Sequence, residues 1–132
     1  MAEEKRFENR IKKYLRSEGI YPAGSGYHLD DIHGWYIKIW GGGYQKSGIP
    51  DMIICIEGLF VAVELKATHG RLSELQKINI KQITDGGGWA FSLYPNQFDE
   101  FKQFVKGVKE CGSRIRELTA SINAPENIGI NT

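Results

Sequence analysis

Two acidic residues and one lysine stand at the ends of two apolar segments and could together do chemistry. Asp51 comes directly before the first apolar segment, Glu64 lies at the end of the second and Lys66 just after it, with twelve residues between Asp51 and Glu64. Like charges placed opposite each other in a sheet are destabilising. Because hard divalent cations take oxygen ligands, a divalent metal is the obvious means of compensating such a pair. The spacing therefore favours a metal site.

The hairpin predicted between these residues sets the register that brings them together. The segments Met52–Ile56 and Leu59–Leu65 are separated by Glu57-Gly58, which has the form of a two-residue β-turn. With that turn, the position numbers of cross-strand partners sum to 115, so Asp51 faces Glu64 with their Cβ atoms about 4.5–5.5 Å apart. The two-residue period of a strand puts Lys66 on the same face. Since both faces of the hairpin are apolar, we expect it to be central and covered.

The flanking elements are predicted from apolar periodicity and from glycine and proline positions. Helices are expected over residues 2–18, 72–85, 95–109 and, more briefly, 113–121, with strands over 35–40 and 89–94 and a loop over 21–34. This order predicts a mixed α/β sandwich.

Composition bounds the class of protein. The chain has 132 residues and a formal net charge of +1, with 41% hydrophobic and 25% charged residues. These values exclude a disordered chain, a collagen and a histone-like basic protein. Two cysteines give neither a disulfide framework nor zinc spacing. No segment is long enough to span a membrane, so we expect no membrane partner and a cytoplasmic location.

The acidic residues and the lysine resemble a known nuclease pattern. Asp51 with Glu64-Xaa-Lys66 is similar to the Pro-Asp…(Asp/Glu)-Xaa-Lys signature of the PD-(D/E)XK superfamily. More narrowly, residues 46–51 and 63–66, followed by 70–73 and Gln76, resemble the VRR-NUC branch of virus-type replication–repair nucleases. The resemblance covers about residues 3–105. It implies an α/β, restriction-endonuclease-like core, with a mixed sheet whose central antiparallel hairpin is flanked by helices. Residues 1–111 would be the VRR-NUC domain and 112–132 a partly flexible C-terminal extension.

The resemblance also implies an activity and a set of site residues. Asp51 and Glu64, with the backbone carbonyl of Leu65, would hold Mg²⁺ or Mn²⁺ for phosphodiester hydrolysis. Lys66 would orient or deprotonate the attacking water and stabilise the developing charge. The first helix of the family supplies a further acid, and Glu8, about 20° from Leu15 around the helix, fits that place. Glu4, one turn earlier, is the alternative.

Gln76 has two interpretations, which are compatible with each other. With Ser73 it forms a capping-box pattern that explains both residues by local structure alone. The family pattern instead points the glutamine side chain at the active site as a catalytic residue.

Candidate DNA contacts lie before the hairpin and after it. Lys46 and Tyr44, in a glycine-rich loop before Asp51, suit contact with a phosphate backbone, and Arg71 belongs to the family motif. The basic face of the first helix could also touch DNA, although a solvated face is the preferred interpretation; its residues are Lys5, Arg6, Arg10, Lys12, Lys13 and Arg16.

The expected function is that of a metal-dependent DNA endonuclease. By family analogy it would be a homodimer that is selective for branched or four-way junction DNA, and a phage origin is a weaker expectation. A non-specific nuclease or nickase is the alternative within enzymes, and a DNA-binding module without cleavage is the alternative outside them. The expected partner is DNA, either branched or duplex.

Overall fold

The computed structural model describes residues 2–26, 29–39, 48–120 and 122. The helices are α1 (Glu3–Ser17), α2 (Glu74–Asp85) and α3 (Phe98–Thr119). A single 3-10 turn over Pro95–Gln97 precedes α3. The strands are β1 (Ile20–Pro22), β2 (Gly34–Lys38), β3 (Met52–Ile56), β4 (Leu59–Leu65) and β5 (Trp89–Leu93).

The five strands form one mixed sheet in the order β1-β2-β3-β4-β5. The outer pairs β1–β2 and β4–β5 are parallel, and β2, β3 and β4 are antiparallel to one another. The chain is therefore an α/β protein whose sheet is flanked by helices, as the sequence predicts. The β3–β4 hairpin lies within the sheet and not at its edge.

The predicted hairpin register is confirmed. Ile56 pairs with Leu59 and Met52 pairs with Val63, so the position numbers of the partners sum to 115 along the whole ladder. Asp51 comes one residue before β3, and Glu64 is the residue after Val63 on β4. The two acids thus lie at the end of the hairpin away from its turn.

One face of the sheet carries the hydrophobic core beneath α1 and α3. The buried residues of α1 recur at helical spacing, as do those of α3, so that each helix presents one apolar stripe. Inward-facing residues of β3, β4 and β5 complete this core. Its members include Phe7, Ile11, Leu15, Met52, Ile54, Val61, Val63, Leu65, Phe101 and Val105.

The opposite face is only partly covered, which corrects the prediction of a fully covered hairpin. α2 contacts β4 and β5, and no residue of α2 is itself buried. Trp35, Cys55 and Phe60 are cross-strand neighbours on this face, and all three are exposed. The reason is geometric, because a helix of 12 residues lying over β4 and β5 does not reach across to β2 and β3.

Two element predictions need correction. The predicted loop over 21–34 contains the end of β1, which pairs in parallel with β2. The helix expected to stop near Lys109 runs without a break to Thr119, so the predicted short helix over 113–121 is the end of α3. Within the described ranges, no helix has the length and apolar character needed to cross a bilayer.

Candidate active site

Backbone contacts on both sides fix Asp51 at the end of the hairpin. Its main-chain oxygen accepts a hydrogen bond from the Ile39 N–H at 2.6 Å, and its Oδ2 accepts one from the Leu65 N–H at 2.8 Å. The approach to Asp51 requires glycine at position 48. Gly48 has φ +87°, and a Cβ there would lie 2.6 Å from the backbone carbon of Leu75 in α2.

Glu64 is a buried carboxylate with one unsatisfied oxygen. The residue is only 5% exposed. Its Oε2 accepts a hydrogen bond from Gln76 Nε2 at 3.0 Å and lies 3.8 Å from Lys66 Nζ. Its Oε1 is buried and finds no hydrogen-bond donor among the described residues. A buried carboxylate oxygen without a donor is costly, so this atom needs either a proton or a cation.

The environment of Glu64 favours its protonated form. Burial raises the pKa of Glu64 to about 8, and the neighbouring Asp51 carboxyl contributes in the same direction. Lys66 partly opposes this rise and Glu4 adds to it. Two carboxyls this close cannot both ionise cheaply in a poorly solvated place. A divalent cation would remove that penalty.

Gln76 makes the contacts that both interpretations of the sequence predict, and its catalytic role stays a prediction. The Ser73 side chain accepts a hydrogen bond from the Gln76 N–H, and Gln76 Oε1 accepts one from the Ser73 N–H, which together form a capping box. The amide nitrogen of the same side chain donates to Glu64. The start of α2 therefore holds the orientation of the Glu64 carboxylate.

Glu8 lies within a group of lysines. Lys38 Nζ is 2.7 Å from its Oε1, while Lys12 Nζ and Lys5 Nζ are 2.7 and 3.0 Å from its Oε2. Burial alone would raise the pKa of Glu8, but the three ammonium groups outweigh burial and lower it to about 2. With lysines on both oxygens, Glu8 is less suited to a metal than the sequence suggests, and its role as a metal ligand stays a prediction.

Glu4, the alternative acid, is electrostatically closer to the acidic pair. Desolvation and the charge of Asp51 raise the pKa of Glu4, with Lys66 and Lys38 opposing the rise.

The contacts of Glu3 explain the position of this turn of α1. Glu3 accepts hydrogen bonds from the Thr68 N–H, at 2.8 Å, and from the Thr68 hydroxyl, which attach the first turn of α1 to the chain after β4.

Lys38 is a residue of this region that the sequence analysis did not single out. It ends β2, and its Nζ lies between Glu8 and Asp51, 3.9 Å from Asp51 Oδ1. The signal in the sequence was a lone charged residue within the apolar segment Trp35–Trp40.

Four further predicted roles concern Arg71, the Leu65 carbonyl, Tyr44 and Lys46. Arg71 is exposed in the chain before α2, and the roles of Arg71 and of the Leu65 carbonyl stay predictions. Tyr44 and Lys46 lie outside the described residues.

The residues present suit a cation that keeps most of its waters. In residues 2–26, 29–39, 48–120 and 122, no group of three or more His, Cys, Asp or Glu side chains is arranged to hold a metal ion. The donor set is instead a pair of carboxylates with one orphaned buried oxygen, Glu64 Oε1. Mg²⁺ is commonly bound through one or two carboxylates, with waters and substrate phosphates completing its octahedron. The site fits such an ion.

No family model, curated protein or solved structure matches the chain. The similarity to the PD-(D/E)XK and VRR-NUC nucleases therefore depends on the motif residues themselves.

Proposed function

We propose that this protein is a divalent-metal-dependent nuclease that hydrolyses phosphodiester bonds in DNA. The observation that carries the proposal is the pair Asp51 and Glu64, held side by side at the end of the hairpin, with Glu64 Oε1 buried and without a donor among the described residues. A structural role alone does not explain two opposed carboxyls that raise the free energy of the folded chain. The α/β fold with its mixed sheet is compatible with a restriction-endonuclease-like core.

In this proposal Asp51 and Glu64 hold Mg²⁺ or Mn²⁺. When bound, the cation supplies Lewis-acid polarisation of a phosphate oxygen and makes a water more acidic. The Leu65 N–H and the Gln76 amide each donate to one carboxylate oxygen, so the two acids keep their orientation before substrate arrives. That preorganisation lowers the cost of assembling the site.

Lys66 is the proposed proton-transfer and charge-stabilising residue. Its side chain is 14% exposed and its Nζ lies 3.8 Å from Glu64 Oε2, so the ammonium group is kept at the acidic pair. From there it can orient the attacking water and approach the phosphate oxygens that gain charge in the transition state.

DNA is the proposed substrate class and a homodimer the proposed assembly. Selectivity for branched DNA belongs to this proposal, with a non-specific nuclease or nickase as the alternative. The following experiment separates both kinds of nuclease from a DNA-binding module without cleavage activity.

The test is cleavage of labelled linear, nicked, forked and four-way DNA with Mg²⁺, with Mn²⁺ and with EDTA. We expect metal-dependent products for the unaltered chain and a loss of at least about 100-fold in rate for Asp51→Asn, Glu64→Gln and Lys66→Ala. Lys77→Ala, on the outer face of α2, is the matched control and should cleave normally. DNA binding without metal-dependent products from any substrate would leave the binding module as the better interpretation.

Metal affinity separates Glu4 and Glu8, the two candidate metal ligands of α1. In a Mn²⁺ titration we expect Glu4→Gln to weaken binding, because Glu4 interacts with the acidic pair. Glu8→Gln should leave the Mn²⁺ affinity within about twofold, because lysines contact both Glu8 oxygens. The opposite ranking would restore Glu8 as the acid that completes the site.

A further inference from the structure

A pocket beside the acidic pair carries more positive charge than its own carboxylate neutralises. Lys5, Lys12 and Lys38 surround the carboxylate of Glu8, and Lys38 also lies 3.9 Å from Asp51 Oδ1, so these three ammonium groups contact two carboxylates. Glu8 itself is 4% exposed, which places the negative charge beneath the surface. Because Glu8 lies below the half-buried Lys12 and Lys38, the wall formed by these two lysines is positively charged.

Two of these lysines line a pocket that opens to solvent. The pocket has a volume of about 280 Å³, and the side chains of Lys12 and Lys38 are 31% and 25% exposed. Each ammonium has three donor hydrogens, and one contact with Glu8 leaves donors available on both lysines. The pocket is lined by Lys12, Pro22, Ala23, Tyr36, Ile37 and Lys38.

The position of the pocket relates it to the acidic pair. Lys38 contacts Glu8 on one side and lies 3.9 Å from Asp51 Oδ1 on the other. Lys66 approaches the pair through Glu64 and not through Glu8. A strand that places one phosphate at Asp51 and Glu64 would therefore bring a neighbouring phosphate toward the pocket.

We propose that the pocket between Lys12 and Lys38 is a subsite for one backbone phosphate of the bound strand, adjacent to the phosphate that is cleaved. Glu8 is the positioning residue of this subsite, because it holds both ammonium groups from below. The inference deepens the proposed function and depends on a nucleic-acid substrate. Phosphate is the fitting ligand because lysine binds it as a point charge and because the residues that line the pocket include two lysines and no carboxylate.

The experiment measures binding separately from cleavage. Binding of a labelled 20-base-pair duplex is titrated without metal on an Asp51→Asn background, at several salt concentrations. We expect Lys12→Gln and Lys38→Gln each to weaken affinity by about 3- to 10-fold and to reduce the salt slope by about 1. Lys13→Gln is the matched control, since it removes the same charge from the exposed next position of α1, and it should change affinity by less than about twofold.

A second variant separates phosphate contact from the support of Glu8. In Glu8→Gln/Lys38→Gln the carboxylate and one of its lysines are removed together, so no buried charge loses that partner. If Lys38 binds phosphate, the double variant still binds the duplex more weakly than Glu8→Gln alone. If Lys38 only neutralises Glu8, the double variant matches Glu8→Gln, and the proposal is wrong.

The remaining outcomes distinguish a strand phosphate from inorganic phosphate. They also distinguish failure of the subsite from failure of the proposed nuclease function. Inorganic phosphate that binds as tightly as the duplex would overturn the assignment to a strand. Equal losses for the Lys12, Lys38 and Lys13 variants would overturn the subsite even if metal-dependent cleavage is observed. Selective losses at Lys12 and Lys38 would support it even if no substrate is cleaved.

Discussion

Glu64 is the residue at which stability and proposed activity are opposed. Its carboxyl has a pKa near 8 because it is buried and lies beside Asp51, whereas an ordinary glutamate titrates near 4.5. Below pH 4.5 both the folded and the unfolded chain hold this proton, and the group costs nothing. Between pH 4.5 and 8 the unfolded chain releases the proton while the folded chain retains it, so the free energy of unfolding falls as pH rises.

Glu64→Gln should therefore stabilise the metal-free protein at alkaline pH. Below about pH 4.5, the difference in free energy of unfolding between the variant and the unaltered chain should not depend on pH. The variant should gain a few kcal/mol by pH 8.5, at most about 5 kcal/mol, because the pKa of Glu64 rises from 4.5 to about 8 and one pKa unit corresponds to ~1.4 kcal/mol. Urea unfolding at pH 4, 6 and 8.5 in EDTA measures this difference. A difference independent of pH would contradict the raised pKa.

The hairpin turn determines the β3–β4 register that places Asp51 beside Glu64, although it lies at the other end of the hairpin. Glu57 has φ +47° and Gly58 has φ +86°, so both residues adopt the positive φ of a type I′ turn. From turn chemistry alone, Glu57→Asn would create Asn-Gly, a strong pair for this turn, and stabilise the hairpin. The structure shows why that sequence-based expectation is incomplete. The Glu57 carboxylate is fully buried, contacts His33 Nδ1 and lies 2.9 Å from Arg116 Nη2.

We expect Glu57→Asn to destabilise the protein by about 1–2 kcal/mol, because the shorter side chain loses these charge-assisted contacts. Thermal and urea unfolding should show the loss, with Glu57→Gln as a control that keeps the side-chain length. Mn²⁺ affinity should be unchanged, since the turn lies five strand residues, roughly 17 Å, from the acidic pair. A variant at least as stable as the unaltered chain would show that turn propensity outweighs the buried contacts.

The sequence predicts those elements that local pattern determines. The register that joins Asp51 to Glu64 was predictable because a two-residue turn leaves one way to pair β3 with β4. The strand β1 was missed because three residues ending in proline, between Gly19 and Ala23-Gly24, carry little local signal. The full length of α3 was missed because Gly112 resembles a helix breaker. It is needed there, since a Cβ would lie 2.2 Å from the Cβ of Glu57.

The part of the site that depends on tertiary placement could not be predicted. The contacts of Glu8 with Lys38 require the relative position of α1 and β2, which no local period encodes. Helical spacing placed Glu8 toward the interior correctly, but it could not show that lysines would neutralise it there. The same limit applies to Glu4 and its interaction with Asp51.

At the scale of the whole molecule, two charged clusters lie at opposite ends of the hairpin. The acidic pair with its lysines is at one end, and the buried contacts of Glu57 with His33 and Arg116 are at the other. Because Arg116 belongs to the last turns of α3, residues beyond the predicted boundary at 111 take part in the second cluster. The predicted division into 1–111 and 112–132 can therefore be tested by its effect on stability.

A chain ending at residue 111 should be less stable than one ending at residue 122 by at least about 1 kcal/mol. The shorter chain lacks Gly112, which is buried against Glu57, and Arg116, which lies on the Glu57 carboxylate. Thermal unfolding of both chains measures the difference, and Arg116→Gln in the longer chain isolates the share of the ion pair.

Mn²⁺ affinity, measured well below the unfolding temperature, should be the same in both chains, because the acidic pair is at the far end of the hairpin. If both chains are equally stable, residues 112–122 are an extension that the core does not need. If the shorter chain also loses Mn²⁺ affinity while it remains folded, the two ends of the hairpin are coupled, and the two charged clusters are not independent of each other.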